Sequence, residues 1–304
     1  MNENTISRIN ELKEKNNAII LAHNYQLPEI QDIADLLGDS LDLAKKAQKT
    51  DAKNIIFCGV DFMAESAKIL NPDKNVIIPD KDARCPMAAM VTPEKLLKVK
   101  KQQPDAKVVA YINTTADIKA LSDICCTSSN GVKVAQSILS DKIIFVPDQN
   151  LGAYIQGFVP NKEIIIWPGY CSTHHKIRKK DILDMKKQHP HAEVLTHPEC
   201  RPEVIDVSDF AYSTNGMVNH VKDSDGEEFI IVTEKELCYR LERENPDKKF
   251  YPIKHAICPN MKKITLEKVL NSLESLEPKV SLSDKIMTDA KKPLENMMNI
   301  GRGD

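Results

Sequence analysis

Short apolar runs alternate with longer amphipathic stretches along the whole chain. Runs such as Ala18-Ile-Ile-Leu-Ala, Asn54-Ile-Ile-Phe and Lys142-Ile-Ile-Phe-Val have the β-branched and aromatic content of buried strands. The stretches between them space their apolar residues as helices do, and early in the chain they predict helices over 30–37, 41–48 and 61–70. Strands that alternate with helices throughout predict parallel sheets built from β–α units.

The same order of features occurs three times with a nearly constant period. Each time, an apolar strand ends in two polar residues with one residue between them. A hydroxyl residue then follows at a second turn, and a cysteine follows a later apolar run. The polar pairs are His23 and Tyr25, Tyr111 and Asn113, and His197 and Glu199; the hydroxyl residues are Ser40, Ser128 and Thr214; the cysteines are Cys85, Cys171 and Cys258. The steps are 88 and 86 residues for the pairs and the hydroxyls, and 86 and 87 for the cysteines. This period predicts a small α/β domain copied three times.

The repeats predict domains over 1–84, 85–170 and 171–261. The pattern changes after Cys258, where helices are expected over 264–276 and 283–298. We expect these C-terminal helices, within 262–304, to pack back on the first domain. Cysteines this far apart in sequence can meet only if the three domains surround a common point.

Composition and charge narrow the function classes. The chain has 304 residues, of which 41% are hydrophobic and 28% charged, which is ordinary for a globular protein. A net charge of −2 gives no electrostatic case for nucleic acid. No apolar run approaches a membrane span, and the N-terminal residues lack the pattern of a signal peptide. We therefore expect a cytoplasmic protein without a membrane or nucleic-acid partner, whose eight cysteines are reduced thiols.

The three repeated cysteines suggest a metal centre at the junction of the domains. Three thiolates can hold a [4Fe–4S] cluster and leave one iron free to act as a Lewis acid. Zinc is the alternative, because His174 follows Cys171 at a spacing typical of ligands, although His174 could equally hydrogen-bond a substrate. Buried structural cysteines are a further alternative. That structural interpretation is preferred for the five cysteines without repeat support, which are Cys58, Cys125, Cys126, Cys200 and Cys238.

The polar pairs lie where functional residues lie in open α/β folds, at the carboxyl ends of strands. Alternate residues of a strand share a face, so both members of each pair point the same way. Together they would form an acid–base set, unless each pair is only a hydrogen-bonded strand end. Glu199 is the expected general base, with His197 and Tyr25 assisting, because the neighbouring imidazole of His197 can orient and tune the carboxylate. Ser40, Ser128 and Thr214 each precede a predicted helix, where they would act as N-caps and could also lie at anion-binding helix ends.

Seven motifs, in order along the chain, resemble those of the quinolinate synthase family. They are Ala22-His-Asn-Tyr25, Gly38-Asp-Ser40, Asp82-Ala-Arg-Cys-Pro-Met-Ala88, Tyr111-Ile-Asn-Thr114, Trp167-Pro-Gly-Tyr-Cys-Ser-Thr-His174, His197-Pro-Glu-Cys200 and Cys258-Pro-Asn-Met261. The resemblance implies three α/β/α sandwich domains in pseudo-threefold arrangement around a [4Fe–4S] cluster. It implies a transferase of NAD biosynthesis that condenses iminoaspartate with dihydroxyacetone phosphate to quinolinate, with loss of phosphate and water. An L-aspartate-oxidising enzyme that supplies iminoaspartate is the implied protein partner.

The resemblance also implies roles for individual residues. Cys85, Cys171 and Cys258 become the cluster ligands. Catalytic roles are expected for Glu199, Tyr25, His23, Tyr111, His174 and His197, and substrate contacts for His23, Ser40, Tyr111, Asn113, Ser128, His197, Glu199 and Thr214. Some family members carry a Cys-x-x-Cys at the last ligand that is linked to redox control. Met261 stands at the second position here, which argues against such a thiol switch.

Two other function classes remain open at this point. A zinc hydrolase would use the thiolates with His174 or His197, and an absorbance band near 400 nm from an iron–sulfur chromophore would argue against it. A non-catalytic iron–sulfur sensor is the second. It is disfavoured by the acid–base residues at the strand ends and by the absence of a basic DNA-binding element.

Overall fold

A computed structural model describes residues 2–304, so that Met1, the first residue of the first predicted domain, lies outside it. The first block consists of α1 (Asn2–Lys15), β1 (Ala18–His23), α2 (Pro28–Ile33), β2 (Leu36–Gly38), α3 (Ser40–Lys49), β3 (Asn54–Cys58), α4 (Asp61–Leu70) and β4 (Asn75–Ile77). Its four strands pair in the order β2-β1-β3-β4, and every pairing is parallel.

The second block repeats this arrangement. After a 3-10 turn at Ala88–Met90, it consists of α5 (Pro93–Gln102), β5 (Lys107–Tyr111), α6 (Ala116–Ala120), β6 (Ile124–Cys126), α7 (Gly131–Ser137), β7 (Lys142–Val146), α8 (Gln149–Phe158) and β8 (Glu163–Ile166). The parallel sheet has the order β6-β5-β7-β8, which is the order of the first sheet.

The third block completes the repeat. It consists of α9 (Ser172–His175), α10 (Lys179–Gln188), β9 (Glu193–Thr196), α11 (Pro202–Ile205), β10 (Phe210–Ala211), α12 (Thr214–Asp223), β11 (Glu228–Val232), α13 (Leu237–Glu244) and β12 (Lys249–Pro252). The parallel order β10-β9-β11-β12 again matches. Three parallel sheets of one topology confirm the predicted α/β class with three repeats.

Both faces of the third sheet are covered, as expected of a sandwich with helices on either side. Alternate residues of a strand face opposite ways. Ile230 and Val232 belong to a small core formed within this block. Phe229 and Ile231 belong to the large core that also includes the other two sheets. One sheet face therefore packs in a core made of this block alone, and the other belongs to the core that joins α12 and α13 to the other blocks.

One predicted helix is wrong over part of its length. The helix expected over 30–37 ends at Ile33, and Leu36–Gly38 is instead the strand β2. These residues pair in register with Leu21, Ala22 and His23 of β1. Ala34 has an extended backbone, which ends α2. Pairing with the neighbouring strand overrides the helical preference of two consecutive leucines. The helix predicted over 61–70 is confirmed as α4.

The C-terminal segment contacts more than the first block. After a 3-10 turn at Met261–Lys263, it forms α14 (Leu266–Ser275) and α15 (Asp284–Ile300), close to the predicted bounds. Helix α14 packs against α1, whereas α15 packs against α4 of the first block and also against α6 and β6 of the second. The segment thus links two blocks, while the domain boundaries themselves stay a prediction. None of the helices within residues 2–304 combines the length and apolar character of a membrane span.

Arg302 attaches the end of this segment to turns of two different blocks. Its guanidinium donates to Asp39 in the first block and to the Ser213 hydroxyl in the third, each at 2.8 Å. The next residue, Gly303, donates its N–H to the Ser129 carbonyl of the second block at 2.7 Å. The last turn of the structure therefore contacts all three blocks.

We predict that Arg302→Ala lowers the free energy of unfolding by roughly 2 kcal/mol, because a half-buried charged hydrogen-bond network loses its donor. Urea denaturation under anaerobic conditions measures the change. Arg8→Ala is the control, since Arg8 pairs with Glu11 on an exposed helix face and should change stability by less than about 0.5 kcal/mol. Equal losses for the two variants would contradict a linking role for Arg302.

Candidate active site

All thirteen residues that the sequence analysis selected line one cavity of about 860 Å³ between the three blocks. They are His23, Tyr25, Ser40, Cys85, Tyr111, Asn113, Ser128, Cys171, His174, His197, Glu199, Thr214 and Cys258. The repeat positions thus converge, as three domains around a common point require.

The convergence follows from the parallel sheets, because their carboxyl ends all face the cavity. In each block the polar pair lies at the end of the first strand, and the hydroxyl residue follows the second strand. The cysteine follows the fourth strand. Each block therefore contributes a polar pair, a hydroxyl and a thiol to the cavity.

The three repeated cysteines differ from the other five in exposure. Cys85, Cys171 and Cys258 are partly exposed, and the remaining cysteines are buried. Burial raises the pKa of the Cys85 thiol to about 12, and it also raises the pKa of Cys171 and Cys258. A thiolate at such a position needs a metal cation beside it, since metal binding releases the proton. The thiol set fits a metal centre shared by the three blocks.

The most compact set of possible metal ligands does not consist of the three thiols. The sulfur of Cys171, a nitrogen of His174 and a carboxylate oxygen of Glu199 all lie within 4.8 Å of one another, and no other set of three ligand atoms among residues 2–304 is so compact. The three cysteine sulfurs are more widely spaced than that. Two thiolates on one tetrahedral zinc ion are roughly 3.8 Å apart, given Zn–S bonds of about 2.3 Å. As placed here, the three thiols are not all close enough to hold one zinc ion together.

Glu199 is a buried carboxylate held by residues of two blocks. Its Oε2 lies 2.7 Å from Nδ1 of His174 in the same block. Its Oε1 accepts hydrogen bonds from the Tyr111 hydroxyl and the Asn113 amide of the second block. Burial acts to raise the pKa of Glu199, but the neighbouring His174 and the hydrogen bonds outweigh it and lower the pKa to about 2. The group is ionised at neutral pH.

The predicted partner of Glu199 is corrected by this geometry. His197 was expected to orient the carboxylate, but its Nδ1 accepts the backbone N–H of Glu199 at 3.2 Å. The side chain that meets the carboxylate is His174, on the short helix α9. His174 also stacks on His197, with ring centres 4.6 Å apart. His197 thus meets the backbone of Glu199 and stacks on His174, the ring that contacts the carboxylate.

His23 and His197 adopt one local structure in two blocks. Nδ1 of His23 accepts the backbone N–H of Tyr25 at 3.1 Å, as Nδ1 of His197 does from Glu199. This bond assigns the proton of each neutral ring to Nε2. Burial lowers the pKa of His23 to about 4 and that of His197 to about 3, where the neighbouring His174 adds to the effect. Both rings therefore act as neutral hydrogen-bond donors.

Tyr25 belongs to a network with His174. Its hydroxyl lies 2.5 Å from the hydroxyl of Thr233, which in turn lies 2.8 Å from Nε2 of His174. Burial and the charge of Glu199 raise the pKa of both Tyr25 and Tyr111 well above the usual value. The phenols stay protonated, so each can donate or relay a proton near Glu199.

The hydroxyl residues are not the N-caps that the sequence suggested. Asp39 caps α3 and Ser213 caps α12, each one position before the predicted residue. Ser128 lies before Asn130, which precedes α7. The hydroxyls of Ser40 and Ser128 are therefore not used as caps, and that of Thr214 accepts from Asn24. The prediction located the three turns correctly. It placed the cap one position too late at Ser40 and Thr214 and two positions too early at Ser128.

Sequence reasoning missed several residues that line the cavity or support it, notably Asp39, Thr173, Thr233 and Glu234. Thr173 lies between two residues that were selected. Glu234 had a detectable signal, because Asp61 and Asp148 precede it by the same repeat period. Thr233 had none, since a threonine after a strand is common.

The sequence model of one family, described as "Quinolinate synthetase A protein", matches residues 7–299. The chain belongs to the quinolinate synthetase A family. It is 50% identical over 297 residues to a protein named quinolinate synthase from Thermodesulfovibrio yellowstonii, covering 97% of this chain and 98% of that protein. It is 49% identical to one of the same name from Alkaliphilus metalliredigens, covering 99% and 100%. A third protein named quinolinate synthase, from Methanosarcina barkeri, is 50% identical over 97% of this chain and 97% of its own length.

Membership of the quinolinate synthetase A family agrees with the resemblance seen in the motifs. The matched region includes all thirteen cavity residues and all three sheets. The carboxylate of Glu199, the neutral rings of His23 and His197 and the three thiols therefore form the candidate site of a family member.

We predict that His23→Gln reduces the loss of stability in acid. The ring has a lower pKa in the folded protein, about 4, than in the unfolded chain, about 6.5. Its contribution is present above pH 6.5 and is lost as the pH falls toward 4, because only the unfolded chain takes up the proton there. At pH 5 the difference is roughly 2 kcal/mol.

The measurement is the melting temperature at pH 7 and pH 5. The melting temperature of His23→Gln should fall less between pH 7 and pH 5 than that of the original protein. His191→Gln, which changes an exposed ring, should keep the original pH dependence. An unchanged pH dependence in His23→Gln would show that this ring is not kept neutral by burial.

Proposed function

We propose that the protein catalyses the quinolinate synthase reaction of de novo NAD biosynthesis, the condensation of iminoaspartate with dihydroxyacetone phosphate to quinolinate with release of phosphate and water. The observation that carries the proposal is the family match over nearly the whole chain, with about 50% identity to proteins named quinolinate synthase. The reaction class is a transferase. A cytoplasmic location and supply of iminoaspartate by an L-aspartate-oxidising enzyme belong to the same proposal.

Cys85, Cys171 and Cys258 are proposed to hold a [4Fe–4S] cluster. When bound, it would supply a Lewis acid at the iron that has no protein ligand. The partial exposure of these three thiols toward the cavity supports this ligand set. The compact set of Cys171, His174 and Glu199 offers a site for one zinc ion as the alternative. The imidazole of His174 and the carboxylate of Glu199 already contact each other at 2.7 Å, which disfavours the zinc alternative.

Glu199 is proposed as the general base. It is ionised at neutral pH, so it can accept a proton from a substrate carbon or nitrogen within the cavity, and three donors fix its position. His174 and the phenol of Tyr111 contact its two oxygens and would take up or return protons between steps. Tyr25 reaches the same network through Thr233 and His174.

The substrates bring two carboxylates and a phosphate into a cavity that must accept anions. Neutral His23 and His197 can donate Nε2–H to these groups without carrying charge. Asn113 lies beside Glu199 and can orient a substrate carboxylate or carbonyl. Ser40, Ser128 and Thr214, one at each second turn, are proposed to bind the remaining anionic groups.

We expect Glu199→Gln to lose at least about a hundredfold in quinolinate formation while it keeps the cluster, because a positioned proton-transfer group contributes ~10² to 10⁴-fold. Glutamine preserves the size of the side chain and removes its basicity. Turnover, iron content and melting temperature are measured on one anaerobic preparation. Glu203→Gln, at a nearby exposed carboxylate, is the control. Near-normal turnover would exclude Glu199 as the base.

Cluster ligation is expected to need each of the three repeated cysteines. Cys85→Ser, Cys171→Ser and Cys258→Ser should lose most of the iron and sulfide and the absorbance near 400 nm. Cys58→Ser and Cys238→Ser replace buried thiols away from the cavity and should keep them. Stoichiometric zinc without sulfide in the original protein would favour the single-ion alternative. Full activity after air oxidation and removal of iron would contradict a catalytic cluster.

A further inference from the structure

Three carboxylates, one per block, accept a hydrogen bond from the backbone N–H of the three repeated cysteines. Asp61 accepts from Cys85 at 3.1 Å, Asp148 from Cys171 at 3.0 Å and Glu234 from Cys258 at 3.2 Å. The separations in sequence are 24, 23 and 24 residues. Each carboxylate follows the third strand of its block and lies beside the fourth, so the same contact has been kept in all three repeats.

A second hydrogen bond attaches each cysteine loop to the same neighbouring strand end. The carbonyl two residues before the cysteine, in Ala83, Gly169 or Ala256, accepts a backbone N–H. The donors are Asp61, Gln149 and Lys235, at 2.9, 2.7 and 2.9 Å. Two bonds to a rigid strand end fix the backbone that leads into each cysteine. They therefore set the direction in which the thiol points.

We propose that Asp61, Asp148 and Glu234 are positioning residues that hold the three cysteine loops at the spacing a cluster needs. The inference rests on the proposed ligation by Cys85, Cys171 and Cys258. Groups that orient metal ligands in this way typically contribute 10- to 100-fold to metal affinity. The position of the three carboxylates beside the ligands, rather than in the cavity centre, suits this role.

The three carboxylates use their oxygens differently, which makes the proposal specific. Oδ1 of Asp61 accepts both the Cys85 N–H and the Phe62 N–H. Asp148 uses both oxygens: Oδ1 accepts from Asn150 and Leu151, and Oδ2 accepts from Cys171. An asparagine has one acceptor oxygen and one NH₂ donor. It can reproduce the contacts of Asp61, but at position 148 it must leave one N–H facing an NH₂ group.

A second threefold set supplies a matched control. Asp35, Asp123 and Asp209 accept backbone N–H bonds from Ile20, Val108 and Val194 at 2.8, 2.9 and 2.8 Å. Each lies just before the second strand of its block, at the opposite end of the sheet from the cysteines. These bonds have the same chemistry and the same repetition but no contact with a cysteine loop.

The test compares Asp61→Asn, Asp61→Ala, Asp148→Asn, Asp148→Ala and Asp123→Ala as anaerobically purified, cluster-loaded proteins. The readouts are the rate of iron release to a chelator, the EPR spectrum of the reduced cluster and the melting temperature. We expect Asp61→Ala and both Asp148 variants to release iron about 10 to 100 times faster than the original protein and to show an altered spectrum. Asp61→Asn and Asp123→Ala should release iron at the original rate.

The proposal is overturned if Asp148→Asn and Asp61→Ala keep the original release rate and spectrum, or if Asp123→Ala releases iron as fast as they do. Should Asp148→Ala fail to fold, the contrast between Asp61→Asn and Asp148→Asn still decides, since both replace one oxygen by nitrogen. An original protein that holds no iron–sulfur cluster would refute the proposed cofactor as well. A stable cluster that is indifferent to these variants would refute the positioning role alone.

Discussion

The buried carboxylate of Glu199 is the interaction on which the centre of the molecule depends. An ionised group at this depth costs several kcal/mol unless it is paired. Here the compensation comes from two blocks, with His174 on one side and with Tyr111 and Asn113 on the other. The second and third blocks must therefore be docked for the charge to be tolerated. The same docking brings Cys171 and Cys258 to one cavity, so the acid–base group and two of the proposed metal ligands are assembled by one packing event.

Several other groups that line the cavity stay neutral beside this charge. The rings of His23 and His197 have pKa values of about 4 and 3 because they are buried, and the phenols of Tyr25 and Tyr111 stay protonated. Neutral donors can bind carboxylate and phosphate without being desolvated as ions themselves. They cannot neutralise those charges, however. In the proposed reaction, that task would fall to the shared metal centre, to which each block would contribute one thiol, and to the helix ends, of which each block has one at the cavity.

The sequence was informative wherever the same kind of side chain recurs at the same position of each repeat. Cys85, Cys171 and Cys258 were found in this way, as were the polar pairs and the hydroxyl turns. The strand at Leu36–Gly38 was missed because its pairing with β1 is a long-range contact, which leaves no periodic pattern in three residues. The partnership of His174 with Glu199 was missed because it depends on the angle between a short helix and a strand. Asp61, Asp148 and Glu234 did repeat, but acidic residues after strands are common enough on surfaces that the period alone did not single them out.

The order of strands gives the cavity a direction. In every sheet the second, first, third and fourth strands lie side by side in that order, and they carry the hydroxyl turn, the polar pair, the positioning carboxylate and the cysteine, respectively. Adjacent strands are about 4.8 Å apart, so the hydroxyl and the cysteine of one block are separated by roughly 14 Å along the sheet edge. Because the three blocks share this order, their thiols gather at one pole and their hydroxyl turns at the other. In the proposed reaction, the cysteines would hold the metal centre, the hydroxyl turns would bind anionic groups, and Glu199, which lines the same cavity, would serve the proton transfer.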